Sequence, residues 1–120
     1  MAQVFALPLG NDSDSLKELK ESLISAHKYS LIIKIDRYLG YLKEFGFLIN
    51  KNIKRQALKK LKKELYELRV DCIRLMLYFD GNDFFVILHG FVKDTQKTPK
   101  NHIKRAEEEI RKWKKLWTKD

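Results

Sequence analysis

Between Glu64 and Lys93 the residues alternate in character along the chain, and the alternation sorts the charged ones onto one side. With Tyr66, Leu68, Val70, Ile73, Leu75 and Leu77 turned toward a core, Glu67, Arg69 and Arg74 point the other way. His89 and Lys93 join them if the register of the following strand allows it. Two arginines, a lysine, a carboxylate and an imidazole are costly to crowd together unless something negative sits among them. A phosphodiester fits, because arginine forks grip phosphate through paired bonds and lysine adds a compact charge. In RNA the 2′-hydroxyl is a built-in nucleophile. A protein need only activate it, offset the extra charge on phosphorus and protonate the leaving 5′-oxygen. That chemistry requires no metal. His27, His89 and His102 lack a ligand spacing, Cys72 is the only cysteine, and no phosphate-binding glycine loop or dinucleotide fingerprint occurs.

Each residue also has a plainer reading. Glu67 and Arg69, two apart on a strand, suit a surface ion pair, and Arg74 suits a solvated face. His89 lies between Leu88 and Gly90 in an apolar strand and suits a hydrogen-bonded core histidine. Lys93 and Lys97 flank a turn, where solvated charge is ordinary.

The elements that must position these side chains follow from periodicity. Met1–Leu9 reads as a short strand ending at Pro8 and Gly10. Ser15 followed by Glu18 has capping-box spacing, and Leu16, Leu19, Leu23 and Ala26 continue a helix over about 15–27. Leu31, Ile35, Tyr38, Leu42 and Phe45 mark a second helix over about 30–45, with Gly46 as its stop. Glu64–Val70, Cys72–Phe79 and Phe84–Lys93 read as three strands, the last two joined through the turn Asp80-Gly81-Asn82-Asp83. The third strand places Phe85, Ile87, His89, Phe91 and Lys93 on one side. Thr98 and Pro99 suit the start of a final helix with Ile103, Ala106, Ile110, Trp113 and Trp117 as its apolar stripe. The order β-α-α-β-β-β-α predicts one α+β domain spanning 1–120: an antiparallel sheet with helices on one face, the opposite face partly open. Arg69 and Arg74 are expected on that open face, where replacement costs little stability.

The net charge is +9, and it is unevenly placed. Residues 1–50 hold six basic and six acidic side chains, while residues 51–120 hold nineteen basic and ten acidic ones. A basic half beside a neutral half suits a polyanionic partner met on one side, although solubility alone also favours such charge. The segment 51–63 carries seven Lys/Arg and no acid, including Lys59, Lys60, Lys62 and Lys63. It reads as a short helical or irregular stretch, anchored by Ile53, Ala57, Leu58 and Leu61, that either contacts nucleic-acid phosphates or is a solvated connector. The absence of a disulfide framework, signal-peptide pattern or membrane-length apolar run predicts a cytoplasmic protein without membrane contact.

Leu65-Tyr66-Glu67-Leu68-Arg69-Val70, then Arg74 with Tyr78-Phe79, then Leu88-His89-Gly90-Phe91-Val92-Lys93, then Thr95-Gln96-Lys97-Thr98-Pro99 before a charged helix, resembles the phage-derived branch of HigB-like toxins in the RelE/ParE superfamily. The likeness in order and spacing covers about 61–117. It implies a microbial-ribonuclease (RelE-like) fold with two N-terminal helices packed on a curved antiparallel sheet. It implies the toxin of a type II toxin–antitoxin system, a metal-independent endoribonuclease (an mRNA interferase) that cuts messenger RNA in the ribosomal A site without a cofactor. The implied partners are ribosome-bound messenger RNA and a HigA-like helix-turn-helix antitoxin, through which alone it would meet operator DNA. Carried onto matching positions, the implied catalytic set is Glu67, Arg69, Arg74, Lys93 and Lys97, with Tyr66, His89 and Gln96 in support. The C-terminal Asp-Tyr-His element of some HigB toxins has no counterpart in Trp117-Thr118-Lys119-Asp120, which leaves the general acid and base open. The alternative within the superfamily is a ParE-like toxin that inhibits DNA gyrase without cutting RNA. A third reading is a phage-associated nucleic-acid-binding protein without toxicity.

Overall fold

The computed structural model describes residues 2–82, 84–93 and 98–117, apart from the Trp117 side chain. A five-stranded sheet runs in the order β1-β7-β6-β5-β4. Its strands are β1 (Gln3–Ala6), β4 (Leu58–Lys60), β5 (Leu65–Val70), β6 (Ile73–Phe79) and β7 (Phe84–Val92). A small ribbon of β2 (Pro8–Gly10) and β3 (Ser13–Asp14) stands apart from it. The helices are α1 (Ser15–Ser25), α2 (Tyr29–Phe45), the short α3 (Ile49–Ile53) and α4 (Lys100–Trp117).

The α+β class stands, with two corrections to the expected sheet. First, β1 pairs with β7 in parallel, so the sheet is mixed; the Met1–Leu9 strand breaks at Leu7, and only Gln3–Ala6 joins the edge. Second, the helices are not confined to one face. Leu19 and Leu23 of α1 and Leu31, Ile35, Leu39 and Leu42 of α2 bury against Leu68, Val70, Ile73, Leu75, Leu77, Phe85 and Ile87. Ala106, Ile110 and Trp113 of α4 pack on the opposite face, over Leu65, Met76, Tyr78, Val86 and Leu88. The physical reason lies in the strands: β6 and β7 are apolar on both faces over half their length, and an apolar face must be covered.

Ser15 does not cap α1. Asp14 does, its carboxylate accepting the Lys17 N–H at 2.8 Å. Ser15 is buried and ties the helix to the sheet, accepting the Leu7 N–H at 3.1 Å and donating to the Ile87 carbonyl at 2.5 Å. The basic segment is neither a helix nor a plain connector throughout. Asn50 accepts the N–H groups of Ala57 and Leu58 at 2.7 Å each, and its amide donates to the Leu58 carbonyl at 2.7 Å. Those three bonds dock the chain along β5, where Leu58, Lys59 and Lys60 pair with Leu68, Glu67 and Tyr66 as edge strand β4. At the β5–β6 hairpin Val70 pairs with Ile73, and the two-residue turn places Asp71 at φ 57, a left-handed position that Asp tolerates better than most residues.

Candidate functional site

Strand register brings the chemistry-bearing residues together. Lys59, Glu67, Met76 and His89 form one cross-strand row, and Arg69, Arg74 and Phe91 form the next. The third strand does not keep one face. Between Met76↔His89 and Leu77↔Ile87 the register slips, leaving Leu88 unpaired in a β-bulge. Phe85 and Ile87 therefore join the α1/α2 side, while His89 and Phe91 turn to the α4 side. The expected grouping of all five residues is corrected by that single extra residue. The bulge also puts His89 and Lys93 on the side of Glu67.

Glu67 is the centre of the cluster. Its side chain is 0% exposed, yet it ion-pairs with Arg69 through Nε at 3.1 Å. Thr98, expected as a helix cap, donates its hydroxyl to the other Glu67 carboxylate oxygen, which fastens the start of the last helix to β5. The solvated ion pair of the plainer reading is thus a buried, doubly bonded carboxylate. Arg74 donates through Nη1 to the Asp71 carbonyl at 2.6 Å and the Ile73 carbonyl at 3.0 Å. Its buried Nε has no hydrogen bond among the described residues. Lys93 is buried as well. Burial is the largest cause of a depressed Lys93 pKa; Glu67 opposes it, and the charges of Arg74, Arg69 and Lys59 add to it. A lysine so placed gives up its proton more readily than one in water. Among the described residues, the cluster is therefore one buried carboxylate ringed by Arg69, Arg74, Lys93 and Lys59.

The other named positions divide. Tyr66 lies on the opposite face, in an aromatic group with Phe47, Phe79 and Phe85, and packs the core rather than meeting Glu67. Lys60 pairs with Tyr66 and shares that face. Lys62 binds Glu107 at 3.1 Å, beside exposed Lys63. Lys97 and Gln96 lie outside the described residues.

The sequence reading missed a second polar chain. His89 Nδ1 lies 2.5 Å from Glu109 Oε1, and His89 Nε2 lies 3.1 Å from His102 Nδ1. Arg105 Nε completes it at 3.2 Å from the second Glu109 oxygen. One consistent proton assignment has His89 donate to Glu109 and accept from His102. The His102 ring stacks on Phe91, centroids 3.7 Å apart. Burial first, then His89 and Arg105, holds the His102 pKa below that of an ordinary imidazole, with Glu109 opposing. The signal available in the sequence was Arg105 and Glu109 at helical spacing; what it could not supply was the bulge that turns His89 toward them.

Fold and site together define a small basic α+β protein whose sheet displays a cationic cluster around a buried carboxylate. The chain belongs to the phage-derived Gp49-like protein family (DUF891), whose family model matches residues 34–111. That family is a RelE/HigB-like toxin family, which is consistent in general with the toxin of a toxin–antitoxin pair. No curated protein matches the chain. Among the described residues no helix is long and apolar enough to cross a membrane.

Proposed function

We propose that this protein is a HigB-type toxin with a RelE-like fold, a metal-independent endoribonuclease that cuts messenger RNA on the ribosome and is held inactive by a helix-turn-helix antitoxin. The observation that carries the reading is the ring of Arg69, Arg74, Lys93 and Lys59 around buried Glu67, in a member of a toxin family. Glu67 neutralises part of the charge and orients Arg69, leaving net positive charge for a phosphate. In the step proposed, the 2′-oxygen attacks phosphorus, the P–O5′ bond breaks, and a 2′,3′-cyclic phosphate forms. Arg69 and Arg74 hold the non-bridging oxygens, whose charge grows in the transition state. The 2′-hydroxyl gives up one proton and the departing 5′-oxygen gains one; Lys93, with its lowered pKa, carries one of these transfers and water carries the other.

Induction in cells should stop translation and leave messages ending in 2′,3′-cyclic phosphate, mapped by end-specific ligation. Intact messages in arrested cells would refute the ribonuclease; intact messages with DNA-damage signalling would instead support gyrase inhibition.

A separate expectation concerns the basic run. Neutralising Lys59, Lys60, Lys62 and Lys63 should weaken ribosome binding and flatten its dependence on salt, since a phosphate no longer met by a lysine keeps its condensed counterion, about one per phosphate. Lys62 is paired with Glu107 and contributes least. A salt slope equal to that of the parent protein would assign the run to solvated surface.

A further inference from the structure

A cleft of about 550 Å³ lies outside the Glu67 cluster. Lys34, Arg37, Tyr38 and Tyr41 line it from one face of α2, at steps of three and four; Arg55 and Asp71 close it from the loop after α3 and from the β5–β6 turn. Among the described residues, three cations face one carboxylate, and that carboxylate is already engaged. Lys34 Nζ binds Asp71 at 2.6 Å and holds its carboxyl below the ordinary range. The charge left over belongs to Arg37, which is exposed, and Arg55. Arg55 Nη1 donates to the Tyr38 hydroxyl at 3.1 Å, which fixes the guanidinium against the wall and leaves its other N–H groups for a ligand. Tyr38 and Tyr41 meet edge to face at 5.6 Å, and Tyr41 continues onto Phe45.

The composition discriminates among ligands. A purely apolar ligand has no use for two arginines, and inorganic phosphate has none for a pair of half-buried tyrosines. A nucleotide unit uses both, its base on an aromatic ring and its phosphate in guanidinium forks. Position supports the same assignment. The Asp71 carboxylate lines the cleft while its carbonyl accepts from Arg74 at 2.6 Å, so cleft and cluster meet across one hairpin turn. Exposed Lys59, opposite Glu67 on the β4 edge, is close enough for its charge to act on Lys93.

We propose that this cleft is a second nucleotide subsite: it takes one unpaired base of single-stranded RNA against Tyr38 and Tyr41 and the adjoining phosphate between Arg37 and Arg55, while the strand continues to the Glu67 cluster. The inference rests on the ribonuclease reading for what happens at the cluster, but its test reads binding, not cleavage. The probe is a twelve-nucleotide RNA, 2′-O-methylated throughout so that it resists cutting, beside a trinucleotide of the same chemistry. Both are titrated by fluorescence anisotropy into the full chain. Arg37→Ala with Arg55→Ala should weaken the long probe by roughly tenfold and lower its salt slope by about one, leaving the trinucleotide unchanged. Tyr41→Ala should weaken the long probe by a similar factor with the salt slope intact, as stacking requires. Arg37→Glu alone, at an exposed position, keeps the test valid if the double variant misfolds, and it should weaken the long probe too.

Unchanged affinity of the long probe for a folded Arg37→Glu variant overturns the subsite, whatever the cleavage assay shows. If Arg69→Ala nevertheless weakens binding and the parent protein cuts messages, the ribonuclease reading stands without the subsite. Uncut messages together with cleft-dependent binding sink the ribonuclease and keep the subsite. Tighter binding of poly-glutamate than of RNA at the cleft overturns the nucleotide assignment in favour of an acidic protein.

Discussion

Arg69→Ala should lower messenger-RNA cleavage by on the order of a hundred-fold or more, the usual loss when a group that stabilises transition-state charge is removed. It should also cost stability. From the sequence, Arg69 and Arg74 belong to an open face where replacement is nearly neutral; in the structure each is tied down. Arg69 is the ion-pair partner of a carboxylate with no solvent exposure, and its loss leaves Glu67 with Thr98 and the fields of Lys93 and Arg74. Hydrogen bonds to charged groups contribute about 1.5–3 kcal/mol. The Arg69 side chain is 32% exposed, so the lower end of that range applies. Arg74→Ala removes one bond to the Asp71 turn carbonyl and one to the carbonyl of Ile73 at the start of β6, and water can replace it at the exposed Asp71 turn; about 1 kcal/mol is expected. Arg69→Lys separates the two effects. It retains the charge beside Glu67 and so most of the stability, but it lacks the fork that grips phosphate, so cleavage should recover only in part. The measurements are a melting curve, a cleavage assay and a growth assay for each variant. Arginine variants that unfold at growth temperature would make these residues structural. Variants that fold and remain fully toxic would rule out the phosphate role, and gyrase inhibition would become the better reading.

The long-period features were legible because they follow from side-chain spacing alone. Both N-terminal helices, the three strands of the meander and the apolar stripe of α4 are written in steps of three and four or of two. What failed to be legible depended on partners distant in sequence. The parallel pairing of β1 with β7 joins Gln3 to Phe84, and nothing local to either residue specifies it. The edge strand β4 exists because Asn50 supplies three hydrogen bonds to a segment whose lysines give no strand signal of their own. The bulge at Leu88 is equally silent, since a run of apolar residues reads the same with or without a slip. For the site, alternation brings Glu67, Arg69 and Arg74 to one face, but it carries no information on their burial. A strand of alternating character does not announce that Thr98 will close over Glu67, or that His89 will meet Glu109 and His102 beneath the last helix.

Leu75→Ala should destabilise the protein by about 2–5 kcal/mol, and Leu68→Ala by a similar amount. Both side chains are 0% exposed, and they pair with each other across β5 and β6 on the face that α1 covers. The cost has two parts: the transfer energy of the lost methyl groups, and the void that remains because neighbours on a hydrogen-bonded sheet relax little. Gly90 makes the local packing measurable. It pairs with Leu75, and a Cβ placed there would lie 2.6 Å from Leu19 Cδ2 and 2.9 Å from Leu75 Cδ2. Gly90→Ala alone should therefore cost about 1–3 kcal/mol by overpacking. On the Leu75→Ala background one of the two clashes is gone, and Leu19 can move into the vacated volume. The double variant should then be more stable than the sum of the single losses, by roughly 0.5–3 kcal/mol of coupling. Chemical denaturation of the four proteins, with slopes compared to confirm a common unfolded state, gives that coupling directly. Strict additivity would mean that the new methyl group is accommodated by backbone movement of β7 rather than by the Leu19–Leu75 contact. Such movement would displace Phe91 and Lys93, the residues that follow Gly90 toward the cationic cluster, so cleavage by the folded Gly90→Ala protein would fall along with its stability.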